Sequence, residues 1–116
     1  MIFNVTNTPF TTEPFVVRTI RRKGNMLVPS RLRVYLTGVA NIPADNIEVR
    51  IRDSRIRGTN IKSGGTIFEP GVYTVDFELP FALNGAGDQP IVLTVTINGV
   101  TFESRLDDTS ARIAIL

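Results

Sequence analysis

The sequence predicts an all-β fold, about seven to nine strands in two antiparallel sheets packed as a sandwich, in one domain spanning residues 1–116. Three observations predict it. Apolar and polar residues alternate with a period of two in one segment after another, which marks half-buried strands. No window of a dozen residues carries a helical period, and Val and Ile are abundant, which suits a pleated surface. Turn-forming pairs recur between the alternating segments, as they do in two-layer β-proteins.

Taken in order, residues 2–6 read as a short extended piece, and residues 1–14 as an extended N-terminal segment. A strand is expected over residues 15–21 and another over 31–37, where Leu32, Val34 and Leu36 point one way and Arg31, Arg33 and Tyr35 the other. Pro43 with Asp45-Asn46 closes the stretch after Gly38, and residues 41–46 can form one short turn. Ile47, Val49 and Ile51 alternate with Glu48, Arg50 and Arg52 in a strand over 47–52, and a further strand is expected over 55–61. Gly64-Gly65 and Pro70-Gly71 read as turns. Over residues 72–79, Tyr73, Val75, Phe77 and Leu79 face one way and Thr74, Asp76 and Glu78 the other. Asn84-Gly85-Ala86-Gly87 is another turn, followed by a strand over 91–97 with Ile91, Leu93, Val95 and Ile97 inward. Asn98-Gly99 is a strong hairpin signal, leading into a strand over 100–105 and a last one over 111–115.

Composition narrows the chemistry. The chain holds no cysteine and no histidine, which removes disulfides, thiol nucleophiles, Ser/His/Asp and Cys/His triads and the commonest metal ligands. No apolar run reaches the length of a membrane span. Met1-Ile2-Phe3-Asn4-Val5-Thr6 shows neither the basic nor the apolar region of a signal peptide, so none is expected. Net charge is +2, but residues 1–62 carry +7 and residues 63–116 carry −5. Such a split marks either a basic contact surface or two halves that neutralise each other across paired strands.

Few residue constellations point to chemistry. Asp76 and Glu78 share one strand face at the spacing of a glycosidase carboxylate pair; the plainer reading is a wet face opposite arginines of a neighbouring strand. Lys62 and Ser63 are adjacent and face opposite ways, so they do not form a catalytic pair. Asp107-Asp108 with nearby carbonyls is a candidate calcium site, although two carboxylates fall short of the six to eight oxygens calcium takes; the other reading is a solvated acidic loop. No metal and no cofactor is expected, and no enzymatic activity. Arg33, Arg50, Arg52, Arg55 and Arg57 are candidate interaction residues. A basic patch suits phosphates, but no nucleic-acid motif accompanies it, so nucleic acid is not the expected partner. Charged strand residues also protect sheet edges. Asn4-Val5-Thr6 matches an N-glycosylation acceptor.

From residue 66 onward the chain resembles a known family. Pro70-Gly71-Val72-Tyr73, Val75, Phe77, Leu79-Pro80, Gly87-Asp88-Gln89-Pro90-Ile91-Val92-Leu93-Thr94-Val95 and Asn98-Gly99-Val100 are similar to a bacterial immunoglobulin-like module. That module lies near the C-terminal end of large exported proteins of environmental bacteria. The likeness is specific over residues 66–102, weaker over 31–60 and absent over 1–30. It implies an immunoglobulin-like β-sandwich, an extracellular or cell-surface setting, and a role in spacing or adhesion, and it transfers no catalytic residue. It also implies that Asp88 and Pro90 fix the loop into the next strand, with Pro90 where no ladder hydrogen bond is needed.

Two functions are therefore expected. The first is a non-catalytic structural or adhesion module contacting protein or carbohydrate. The second is a self-assembling filament subunit, in which the N-terminal segment with Phe3, Val5, Phe10 and Phe15 is exchanged into a neighbouring copy. The competing reading of that segment is pairing within its own domain.

Overall fold

The computed structural model describes residues 2–37, 43–69, 72–97, 99–104 and 112–116. Among these residues eleven strands follow in order: β1 (Ile2–Asn4), β2 (Arg18–Arg21), β3 (Met26–Pro29), β4 (Arg31–Thr37), β5 (Ile47–Ile51), β6 (Ser54–Ile56), β7 (Ile61–Glu69), β8 (Val72–Glu78), β9 (Gly87–Ile97), β10 (Val100–Ser104) and β11 (Arg112–Ile115). The helical pieces among the described residues are three single 3-10 turns, at Ala44–Asn46, Gly58–Asn60 and Phe81–Leu83. The fold is all-β, and every pairing between these strands is antiparallel.

The strands form a four-stranded sheet in the order β1-β4-β8-β7, a five-stranded sheet in the order β10-β9-β5-β6 with β11 also on β9, and the separate hairpin β2-β3. Alternation explains the core. Leu32 and Val34 of β4 and Val75 and Phe77 of β8 turn inward from the first sheet. Ile47, Val49 and Ile51 of β5, Ile91, Leu93 and Val95 of β9, and Ile113 and Ile115 of β11 do so from the second. With Phe15, Val17, Ile56, Ile61, Leu79 and Leu83 they make one buried cluster. Fully burying each such side chain is worth about 1.5–3 kcal/mol.

Several sequence expectations change against this structure. The strand expected over 55–61 is split: β6 ends at Ile56, Gly58–Asn60 turns, and β7 begins at Ile61. Gly64-Gly65 is no turn but lies inside β7, where the register against β8 shifts between Ser63 and Thr66. Paired glycines in a strand permit such a bulge. The strand over 15–21 shortens to Arg18–Arg21, because its partner is β3, which Met26-Leu27-Val28-Pro29 forms without any alternation to announce it. β9 starts four residues before the expected Ile91, since Gly87–Pro90 pairs with β11. Asp88 and Pro90 are thus strand residues rather than loop residues.

The hairpin signal at Asn98-Gly99 is met by a two-residue connection. Ile97 pairs with Val100, and Gly99 has φ +78°, a conformation open to glycine at little cost. Asn98, Pro70-Gly71 and Asp107-Asp108 lie outside the described residues, and with them the candidate calcium site.

The N-terminal segment is bound to its own chain. Asn4 exchanges main-chain hydrogen bonds with Thr11 on the outer side of β1, and the Val5 N–H donates to the Arg31 carbonyl. The buried Asn4 side-chain amide donates to Thr19 Oγ1 at 3.2 Å, and Thr19 shares a 2.6 Å hydrogen bond with the buried Ser30 hydroxyl. The glycosylation acceptor read at Asn4 is thus a buried structural amide. Phe15 runs beside β11: its N–H donates to the Ala114 carbonyl, and its carbonyl accepts from Leu116.

Candidate functional site

The candidate interaction residues fall into separate places. Phe15 is fully buried in the core. Phe3 is half-buried, its ring edge-on to Tyr35 with centroids 5.8 Å apart. Phe10 is exposed and lies under the Arg33 guanidinium, 5.6 Å from it. Val5 is half-buried at the same margin. These four side chains therefore do not form one free strand surface.

Arg33 belongs to a neutralised cluster. It stands opposite Asp76 in register and donates to both carboxylate oxygens, from Nε at 2.8 Å and Nη2 at 3.0 Å. Arg31 adds a third contact at 3.3 Å. The two-point hydrogen bond that Arg33 donates to Asp76 holds the Arg33 pKa above the ordinary arginine value, against the opposing effect of burial. Asp76 was expected on a wet face opposite arginines. The arginines are there, but the face is not wet: the carboxylate is buried beneath Arg33, and Thr74 of the same face is buried too. Lys62 pairs with Glu78 at 3.2 Å on the next strand. Here the basic first half and the acidic second half do cancel across strands.

The outer face of the five-stranded sheet differs. Because Ile47, Val49 and Ile51 turn inward, Glu48 and Arg50 turn outward; by the same alternation β9 presents Thr94 and Thr96 outward. The register arranges them in rows. Arg50 sits between Val92 of β9 and Arg55 of β6. Glu48 stands opposite Thr94, which has Glu103 at the register position beyond it, and Thr96 stands opposite Thr101 of β10. The Thr96 and Thr101 hydroxyls share a 3.3 Å hydrogen bond. Glu48, Arg50, Arg55, Thr94, Thr96 and Thr101, with Asp45, Asn46, Ile47, Arg57 and Gly99, line an open groove of about 780 Å³.

Its electrostatics are unbalanced at one end. Like charges directly opposite on neighbouring strands destabilise a sheet, and Arg50 opposite Arg55 is such a pair. Glu48 reaches Arg55 at 3.9 Å and Arg57 at 3.6 Å, both loose and exposed contacts. Among the described residues no carboxylate pairs with Arg50. Arg52, expected as an outward strand residue of this group, instead occupies the β5–β6 turn with φ +56°. The groove therefore offers Arg50, Arg55 and Arg57 as fork-shaped donors for a carboxylate or sulfate. Three threonine hydroxyls at its other end can donate to or accept from polar groups.

The alternation in the sequence already turned Thr94 and Thr96 outward. The hairpin at Asn98-Gly99 would also have set Thr101 opposite Thr96. What the sequence could not show was that β9 lies between β5 and β10, which is what gathers threonines and arginines on one face.

Among the described residues no group of three or more His, Cys, Asp or Glu side chains is placed to hold a metal ion. No helix of the described residues is long and apolar enough to cross a membrane. No protein-family model, no curated protein and no solved structure matches the chain.

Proposed function

We propose that this chain is a non-catalytic immunoglobulin-like β-sandwich module, working outside the cell or at its surface, that holds an acidic carbohydrate on the outer face of β5, β6, β9 and β10. The sandwich reading is supported by inward residues of the two larger sheets meeting in one core. The setting and the adhesive role rest on the resemblance of residues 66–102 to the bacterial module.

One observation carries the ligand: Arg50 and Arg55 face each other in register with no described carboxylate on Arg50. A bound anion between two guanidiniums converts a repulsive pair into two charge-assisted hydrogen-bonding contacts. Among the described residues that line the groove there is no aromatic ring, and so no stacking platform for a neutral sugar. It also lacks the aromatic anchor pocket on which tight protein interfaces rely. Hydroxyls and guanidiniums together suit a uronate or sulfated sugar.

The strand-exchange reading has less to support it. The segment it requires to leave is tied down at Asn4, Val5, Thr11 and Phe15 by main-chain hydrogen bonds to its own fold.

Titration with a polyuronate, a sulfated glycan and neutral dextran tests the proposal. Binding to the acidic polymers, lost in Arg50→Gln/Arg55→Gln, is expected. Equal binding to dextran, or acidic-polymer binding untouched by that double substitution, defeats it.

A further inference from the structure

The β2–β3 hairpin is a second surface, independent of the groove. Every residue from Ile20 to Leu27 is exposed. Directly paired residues share a face, so Arg18, Ile20, Leu27 and Pro29 lie on one side of the ribbon. Ile20 and Leu27, 57% and 65% exposed, form a bare apolar pair there. Arg18 extends that face onto Phe81, itself 60% exposed, with its guanidinium 5.3 Å from the ring centroid. Arg21, Arg22 and Lys23 lead into the turn beyond.

The charge is one-sided. No Asp or Glu occurs between Glu13 and Asp45, a stretch that carries Arg18, Arg21, Arg22, Lys23, Arg31 and Arg33. Arg31 and Arg33 are neutralised by Asp76. Among the described residues no carboxylate neutralises the hairpin cations. Arg21 donates to the Lys23 carbonyl and Arg22 to the Thr8 carbonyl, and no described carboxylate pairs with either.

The ribbon's edges are closed to strand addition. The Asn7 side chain donates to the Ile20 carbonyl at 2.9 Å and accepts from the Arg22 N–H at 2.9 Å, occupying the outer edge of β2 as a strand would. On β3, Pro29 removes a donor from the other edge. A second copy docking hairpin to hairpin would set four cations against four.

We propose that this face docks on an anionic phospholipid surface, Ile20, Leu27 and Phe81 entering the headgroup boundary and the surrounding cations meeting lipid phosphates. A two-stranded ribbon with a bare apolar pair, closed edges and cations around its turn asks its partner for softness and negative charge. Shallow burial of an apolar face with flanking Lys and Arg is how peripheral elements hold such surfaces.

Vesicle co-sedimentation of the whole chain tests this. Partition onto phosphatidylcholine vesicles containing about a third phosphatidylglycerol is expected, with little onto pure phosphatidylcholine. Each cation near an anionic surface contributes about fivefold, so Arg21→Gln/Arg22→Gln/Lys23→Gln is expected to weaken binding about a hundredfold. Ile20→Ser/Leu27→Ser is expected to weaken it about tenfold or more without loss of fold, since both side chains are exposed. Arg50→Gln/Arg55→Gln is expected to leave it unchanged, which separates this surface from the groove. The proposal is overturned by absence of binding to the anionic vesicles, or by binding that survives both hairpin variants. Hairpin-dependent retention on an acidic protein, without vesicle binding, overturns it in favour of a protein partner.

Discussion

Replacing Asp76 with alanine leaves the guanidiniums of Arg31 and Arg33 side by side with nothing between them. The Asp76 side chain is 3% exposed and accepts at 2.8, 3.0 and 3.3 Å. Removing one partner of a buried ion pair costs about 3–5 kcal/mol, because the other charge is stranded. Arg31 and Arg33 keep 44% and 30% of their side-chain surface, so water can reclaim part of their hydration. The lower end of that range therefore applies, about 3 kcal/mol. For a domain of this length about 4 °C of melting temperature accompanies each kcal/mol, so Asp76→Ala is expected to melt about 12 °C lower. Urea unfolding of Asp76→Ala, Arg33→Met and the double variant measures the coupling, which is expected near 2 kcal/mol. A single-variant loss below about 1 kcal/mol refutes the reasoning, since it would mean that the carboxylate is effectively solvated.

Phe15→Ala is expected to destabilise the monomer by about 3–5 kcal/mol as a core truncation; a change of oligomeric state with intact stability, seen by light scattering, would return Phe15 to a connecting role. Arg52→Gly removes a side chain from a left-handed turn position and is expected to raise stability by up to about 1 kcal/mol in urea unfolding, despite the entropy a glycine adds to the unfolded chain. Arg50→Gln is expected to stabilise the unliganded domain by a few tenths of a kcal/mol, roughly the scale of one cross-strand charge pair, while weakening acidic-glycan binding about tenfold. Arg33 has its pKa raised by Asp76, so its contribution is complete below the ordinary arginine value and fades only as pH climbs past the raised one. Melting temperatures of wild type and Arg33→Met are therefore expected to differ by the same amount at pH 6 and pH 9.

The legible parts of the fold were those in which one strand face is buried. In β4, β5 and β9 a period of two separates core from surface: Leu32, Val34, Ile47, Val49, Ile51, Ile91, Leu93 and Val95 are buried as the alternation names them, while the side chains of Leu36 and Ile97 lie outside the described residues. Legibility failed where another force set the structure. β8 buries Asp76 and Thr74 as well as Val75 and Phe77, because an ion pair, which has no periodicity, covers its second face. β3 reads as an unpatterned apolar run, since neither of its faces is part of the main core. β7 carries two glycines that in isolation signal a turn and here permit a bulge. The groove was half visible: outward arginines and threonines could be assigned, but their gathering depends on strand order, a long-range property.

The two arginine clusters then frame the functional argument. In each, a strand turns an arginine toward the strand beside it, and the two end in opposite states. In the four-stranded sheet an acid, Asp76, is the register partner of Arg33, and the result is a closed ion pair with a buried carboxylate. In the five-stranded sheet the register partner of Arg50 is another arginine, although any neutral residue there would relieve the repulsion. That repulsive pair costs stability, offset within the fold by the 3.9 Å contact of Glu48 with Arg55. The use we propose for the pair is to seat an anion between Arg50 and Arg55.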